Sequence, residues 1–328
     1  MLKVAAIAAA LALLCMGSLA QANITIDTVA VGNAGNAGEL SGSGAGGYGP
    51  DRVCGSVAYN YNIGKYEVTA GQYTAFLNAV AGTDTYGLYS TYMADPTGYY
   101  GCNIQRTGGS GSYSYSVASD YANRPVNYVS YWDSLRFANW LGNGQGAGST
   151  ETGAYTLGGY NGIDGRTISR NAGATWAVTS EDEWYKAAYY KGGGVYSDYA
   201  NGTNTAPGAG TASNYDGAIG STWDGTVNGA LEQNGTKDMM GNVWEWNEAI
   251  VYQDVNCASR GLRGGSFYIY YGGYLQASDR YDYEETGGAP SNENGAFGFR
   301  LSQVPEPSSI ITLLGGLVGL LGMRRRRG

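Results

Sequence analysis

Hydrophobic spacing in this chain predicts three helices, one tryptophan-bearing strand and an apolar run at each end. Thr69-Ala-Gly-Gln72 has the form of a capping box, and Tyr73, Phe76, Leu77 and Val80 follow it on one helical face. Ser130-x-x-Asp133 opens a second helix with Leu135, Ala138 and Leu141 aligned. Ser180-x-x-Glu183 opens a third, with Trp184, Ala187 and Ala188 turned inward. Stripes at this spacing are read as core. Trp244, Glu245 and Trp246 alternate with the period of a strand, so the tryptophans are expected in the core and the carboxylate on the opposite face. Glycine-rich stretches at 32–49, 142–159 and 192–210 read as long loops.

The ends carry addresses. Lys3, the apolar stretch from Val4 to Leu14 and the small-residue site Ala20-Gln21-Ala22 make residues 1–22 a secretory signal, with a mature start near Asn23. The apolar part is too short to be a comfortable membrane span. At the other end, Val304-Pro-Glu-Pro307 precedes an apolar run from Ile310 to Met323 and then Arg324 to Arg327. A run of about 14 residues is short for a full span. The arginines hold it on the cytoplasmic side, so the tail reads as a weak stop-transfer helix after an exported domain.

Removing both ends leaves about 280 residues, enough for one large domain with a real core. With 55 glycines, 30 tyrosines and only 14% charged residues, a loop-rich extracellular fold is expected. A net charge of −8 with no basic patch argues against a nucleic-acid partner. The absence of histidine removes Ser-His-Asp and Cys-His nucleophile systems and the histidine-based zinc, copper and iron sites. Cys15 leaves with the signal, and Cys54, Cys102 and Cys257 remain. One disulfide and one free thiol is the simplest expectation, with the pairing open.

Asp238 and Glu245 bracket Gly241, which lets the backbone turn so that carbonyls point inward. Carboxylates plus carbonyls suit calcium rather than a soft metal. Arg263 and Arg300 flank glycine-rich turns and are expected in buried ion pairs. The stretch from Phe267 to Tyr283 presents Tyr268, Tyr270, Tyr271, Tyr274, Tyr281 and Tyr283, side chains with large contact area and a polar tip.

Six segments together resemble the sulfatase-modifying-factor domain of the formylglycine-generating enzyme family. They are Ile63-Gly-Lys-Tyr-Glu-Val-Thr69, Arg124-Pro-Val-Asn-Tyr-Val-Ser130, Trp176-Ala-Val-Thr-Ser-Glu-Asp-Glu-Trp184, Asp238-Met-Met-Gly-Asn-Val-Trp-Glu-Trp-Asn247, Leu262-Arg-Gly-Gly-Ser-Phe267 and Gly298-Phe-Arg300. The resemblance covers residues 55–302, after a glycine-rich segment at 23–54. It implies an α+β fold, the family's variant of the C-type-lectin-like fold, loop-rich with short strands and about three helices. It implies calcium held by the Asp238 side chain, the Gly241 and Val243 carbonyls and the Glu245 carboxylate. A second calcium site would begin at Asn214 and the Tyr215 carbonyl.

Active members oxidise a substrate cysteine with two cysteines placed after the Arg-Gly-Gly-Ser turn. Those positions fall on Ile269 and Tyr274 here, so no thiolate pair exists for copper chemistry, and neither zinc nor iron is expected. The family's substrate groove would be lined by Tyr268, Tyr270, Tyr271 and Tyr274, with Asp279, Arg280 and Asn292 supplying hydrogen bonds.

Residues 304–328 closely resemble the PEP-CTERM sorting signal. That implies transient inner-membrane association through the C-terminal helix, cleavage near Pro305 to Pro307 by an exosortase, release to the cell surface, and a Gram-negative host that makes exopolysaccharide. The expected function is a non-catalytic cell-surface or biofilm-matrix binding protein, with an exopolysaccharide or a surface protein as ligand. The alternatives are a cysteine-modifying oxidase with atypical catalytic residues and an inert matrix structural protein.

Overall fold

A computed structural model describes residues 23–95, 101–166, 168–280 and 289–305. The signal segment and the apolar tail from residue 306 lie outside the described residues. Among the described residues no helix is long and apolar enough to cross a membrane.

The three helices form where the caps place them. They are α1 (Ala70–Val80), α2 (Tyr131–Gly142) and α3 (Glu181–Tyr189). Each opens on a reciprocal capping box from Thr69 with Gln72, Ser130 with Asp133, and Ser180 with Glu183. A cap of this kind contributes about 1 kcal/mol. Tyr73, Phe76 and Leu77 of α1, and Trp184, Ala187 and Ala188 of α3, are buried as their spacing predicts, while Val80 at the end of α1 is only half-buried. Helix α2 departs from expectation, because every residue from Tyr131 to Leu141 is buried. Arg136 and Asn139 are covered by the loop that follows and are satisfied there, Asp133 accepts from Ser130 at the cap, and the Trp140 indole N–H has no partner among the described residues. Arg136 donates to Glu151 at 2.7 and 3.1 Å, and Asn139 donates to the Thr150 and Tyr155 carbonyls. Burial of polar groups is tolerated when their hydrogen bonds are made.

Thirteen short strands complete the described chain. The principal sheet has the order β1-β4-β13-β7, from Thr28–Val31, Tyr61–Gly64, Leu301–Gln303 and Trp176–Val178, all antiparallel neighbours. The second sheet places β10 (Trp244–Gln253) between antiparallel β11 (Ala258–Arg263) and parallel β12 (Phe297–Phe299). Three two-stranded ribbons pair β2 (Glu39–Ser41) with β3 (Arg52–Cys54), β5 (Ile104–Thr107) with β6 (Ser114–Val117), and β8 (Tyr190–Gly192) with β9 (Val195–Tyr196). The glycine-rich segment before residue 55 thus supplies β1 of the main sheet and the β2–β3 ribbon.

Arg300 is the single residue between β12 and β13, where the chain passes from one sheet to the other. The core has two parts. One joins α1 and α2 to Trp244, Trp246, Phe297 and Phe299. The other joins α3 to Tyr61, Ile63, Met239, Met240 and Leu275.

The expected disulfide does not form among the described residues. Cys54, Cys102 and Cys257 are all free. Cys54 belongs to the second core and Cys102 to the first, while Cys257 sits in the turn after β10. The fold therefore places the three thiols in separate parts of the structure and leaves each of them unpaired with another.

Candidate functional site

Strand β11 ends at Arg263 and turns through Gly264 and Gly265, with φ of 96° and 76°. A Cβ at Gly265 would lie 2.6 Å from Leu275 and 2.7 Å from Ile269, so only glycine lets the following segment fold back this closely. The returning chain is pinned by the loop around Tyr215. The Asp216 amide donates to the Ile269 carbonyl at 2.6 Å and the Gly217 amide to the Phe267 carbonyl at 3.0 Å.

The result is an aromatic segment with an inner and an outer side. Ile269 packs against both parts of the core. Tyr274 packs on Trp244, with ring centres 6.2 Å apart. These are the positions where active relatives would carry thiols, and both side chains serve packing. Tyr268, Tyr270 and Tyr271 are 46%, 67% and 69% exposed. Tyr268 and Tyr270 meet edge to face at 5.5 Å, and Tyr271 meets Tyr274 likewise at 5.9 Å.

Two of the expected polar partners face elsewhere. Arg280 is buried, and donates to both oxygens of Glu181 at 2.7 and 2.8 Å and to the Pro50 carbonyl. Asp279 is buried too, and its carbonyl accepts from Arg263. Both are drawn inward by the same carboxylate network, so neither orients a ligand on the tyrosine face. Asn292 is half-buried, its amide donating to the Ala289 carbonyl. Tyr281 and Tyr283 lie outside the described residues.

Glu181 is the hub that sequence spacing does not reveal. It accepts from Arg52 at 2.6 Å, from Arg263 at 2.7 and 3.0 Å, and from Arg280. Burial alone would raise its pKa, but Arg263, Arg280 and Arg52 outweigh burial and hold the carboxyl at about 2. Its one sequence signal is the run Glu181-Asp182-Glu183 at the start of α3, more acid than a cap requires.

The candidate calcium residues surround a second buried network. Glu245 gives its oxygens to Arg300 at 2.7, 3.0 and 3.2 Å and to the Trp184 indole at 2.7 Å. Both arginines expected in ion pairs make them, Arg263 with Glu181 and Arg300 with Glu245. Asp238 stands at φ 59°, with one oxygen accepting from the Trp223 indole at 3.0 Å and Oδ2 buried without a partner. The Asn214 backbone bridges to Gly241, which brings the two expected calcium sites together, and Asn214 Oδ1 is likewise buried without a partner. The Tyr215 hydroxyl donates to the Pro207 carbonyl.

Glu67 accepts from Asn242 and from the Val243 amide, and Glu232 accepts from Thr236. Burial, and then the neighbouring carboxylates, push Glu67 well up. Burial pushes Glu232 to about 8 and Asp238 to about 7. Among the described residues no group of three or more acidic, cysteine or histidine side chains gathers around one metal position. A hard cation here would therefore rest largely on carbonyl and amide oxygens. The two orphaned oxygens, on Asp238 and Asn214, are of the type it takes.

An α+β scaffold cross-tied by buried arginine–carboxylate pairs, with an aromatic segment looped over its Arg-Gly-Gly-Ser turn, defines the class of protein. The chain belongs to the sulfatase-modifying factor enzyme 1-like domain family, whose model matches residues 41–304. Residues 303–327 match the PEP-CTERM protein-sorting motif, so this scaffold is that of an exported protein. No curated protein matches the chain.

Among solved structures, Treponema denticola variable protein 1 is 20% identical with a TM-score of 0.56, covering 86% of this chain and 95% of its own. CarF is 22% identical with a TM-score of 0.52, covering 86% of this chain and 99% of its own. PvdO from Pseudomonas aeruginosa is 18% identical with a TM-score of 0.52, covering 87% and 97%. At these identities the likeness concerns the fold.

Proposed function

We propose that this protein is a non-catalytic binding protein of the cell surface or biofilm matrix, with the Tyr268, Tyr270 and Tyr271 ridge as its ligand face. One observation carries the reading. The positions that would hold redox thiols are Ile269 and Tyr274, both packed inward, while Tyr268 just before them and Tyr270 and Tyr271 between them stand 46–69% exposed on a segment pinned by backbone hydrogen bonds. Exposed rigid aromatics bind by stacking at low entropic cost. The stretch that carries the ridge, residues 267–279, holds no basic side chain, Asp216 bonded to it is exposed, and Arg280 is turned inward. A neutral glycan therefore suits the ridge better than an anionic one, and a host exopolysaccharide is the first candidate.

Binding of the mature domain to purified neutral surface polysaccharide should be lost at least tenfold in a Tyr268→Ala, Tyr270→Ala, Tyr271→Ala variant, as expected from about 1.4 kcal/mol or more of lost stacking. The melting temperature should change little, because these side chains are exposed. The wild type should also leave a sulfatase-type cysteine peptide unmodified in the presence of copper and oxygen. Aldehyde formation would favour the oxidase. A folded triple variant that binds as well as the wild type would favour an inert matrix protein.

Calcium belongs to the same proposal, held by the Asp238 carboxylate, the Gly241 and Val243 carbonyls and the Glu245 carboxylate, with Asn214 and Tyr215 adjacent. Its contribution would be structural, tying the loop before β10 to the loop at Asn214. Saturation to about 100 times Kd should raise stability by about 2.7 kcal/mol relative to chelator. Asp238→Ala should abolish that increment, and an undiminished increment in the variant would remove Asp238 from the site.

A further inference from the structure

The sorting motif begins inside the fold. The domain is matched through residue 304 and the motif from residue 303, so Gln303 and Val304 belong to both. Gln303 is bound on both sides and Val304 on one. Strand β13 lies between β4 and β7, and Gln303 pairs with Asn62 on one side and Trp176 on the other. The Gln303 side chain accepts from Asn62 Nδ2 at 3.0 Å, and the Val304 amide donates to the Thr175 carbonyl at 2.9 Å. The exit point is also recessed. A groove of about 440 Å³, lined by Val31, Asn60, Asn62, Thr175, Val304 and Pro305, surrounds the place where the chain leaves the sheet.

An enzyme that reads an extended peptide needs the backbone groups of its substrate, and here the sheet already uses those of Gln303 and Val304, where the motif begins. We propose that removal of the sorting tail is gated by local opening of the C-terminal end of β13, so that the folded domain itself limits its release from the membrane. The partner is the membrane enzyme that reads the motif. That enzyme breaks one peptide C–N bond and passes the acyl group to water or to a host amine; the gate acts before this, on access. The inference rests on the sorting motif and on strand pairing, and is independent of the ligand reading above.

Strand ends fray with a small free-energy cost, and a partner that needs the opened form acts at a rate reduced by its population. The full precursor in its native host should be followed by pulse-chase, scoring loss of the tail. A Gly-Ser spacer of about eight residues followed by a second Gln-Val pair, inserted between Val304 and Pro305, presents the whole motif outside the intact sheet and should speed processing about tenfold. Asn62 and Gln303 are cross-strand partners, so Asn62→Cys with Gln303→Cys places a disulfide across the gate. That pinned chain should be processed at least tenfold more slowly, and mild reductant should restore the rate. Melting of the purified domains establishes that both variants fold. A spacer variant processed at the wild-type rate overturns the gate on its own, and so does a folded, oxidised pinned chain processed at the wild-type rate.

Discussion

Glu181→Ala should be among the most damaging single substitutions in this protein, lowering stability by about 3–5 kcal/mol at neutral pH. The carboxylate lies at the first turn of α3 and binds three guanidinium groups, from Arg52 on β3, Arg263 at the end of β11, and Arg280 after the aromatic segment. Arg263 and Arg280 are buried, so removal of their anion leaves two uncompensated cations with no route to water. Arg52 is 38% exposed and contributes less, because solvent screens it.

The pH dependence follows from the sign of the shift. The Glu181 carboxyl is held at about 2, below its ordinary value of 4.5, so its contribution is full above that value. It is lost as pH falls from there toward 2, amounting to about 3 kcal/mol across the window. Glu181→Gln keeps the shape and removes the charge, so this component should vanish in the variant. Urea unfolding at a series of pH values measures both effects. A loss under 1 kcal/mol at neutral pH, or an unchanged acid limb in Glu181→Gln, would show that the arginines find other partners.

Much of this fold is legible in local chemistry. The three capping boxes mark helix starts at Ala70, Tyr131 and Glu181 because the side-chain and backbone partners are three residues apart, within reach of a single turn. The tryptophans of β10 are core residues as their alternation predicts. What local spacing hides is long-range. The partners of Glu181 are 129, 82 and 99 residues away, and nothing near Arg280 says that it faces inward. A polar residue beside a tyrosine cluster looks like binding chemistry until a distant carboxylate is placed under it. The same holds for the cysteines, whose separation depends on how two cores are divided. The bridge between Asn214 and Gly241, which joins two candidate calcium segments, is likewise a product of the fold.

Arg300→Met should cost a comparable amount, about 3–5 kcal/mol, for the opposite electrostatic reason. Arg300 is fully buried at the step from β12 to β13, and it binds Glu245 of β10, the Gly64 carbonyl of β4 and the Lys237 carbonyl. Its guanidinium is therefore a tie between the two sheets as well as the counter-ion of a buried carboxylate. Glu67, Glu232 and Asp238 lie close enough for their charges to be coupled to it or to one another. Loss of the cation strands Glu245 among them.

The two roles separate in a double-mutant cycle. In Arg300→Met with Glu245→Gln the stranded charge is gone while the Trp184 indole keeps an acceptor, so part of the lost stability should return, about 1–3 kcal/mol. The remainder measures the two carbonyl hydrogen bonds and the packing that joined the sheets. If the double variant is no more stable than Arg300→Met alone, the carboxylate was never the burden. The cost would then lie in the sheet-to-sheet tie, carried by backbone geometry at one residue.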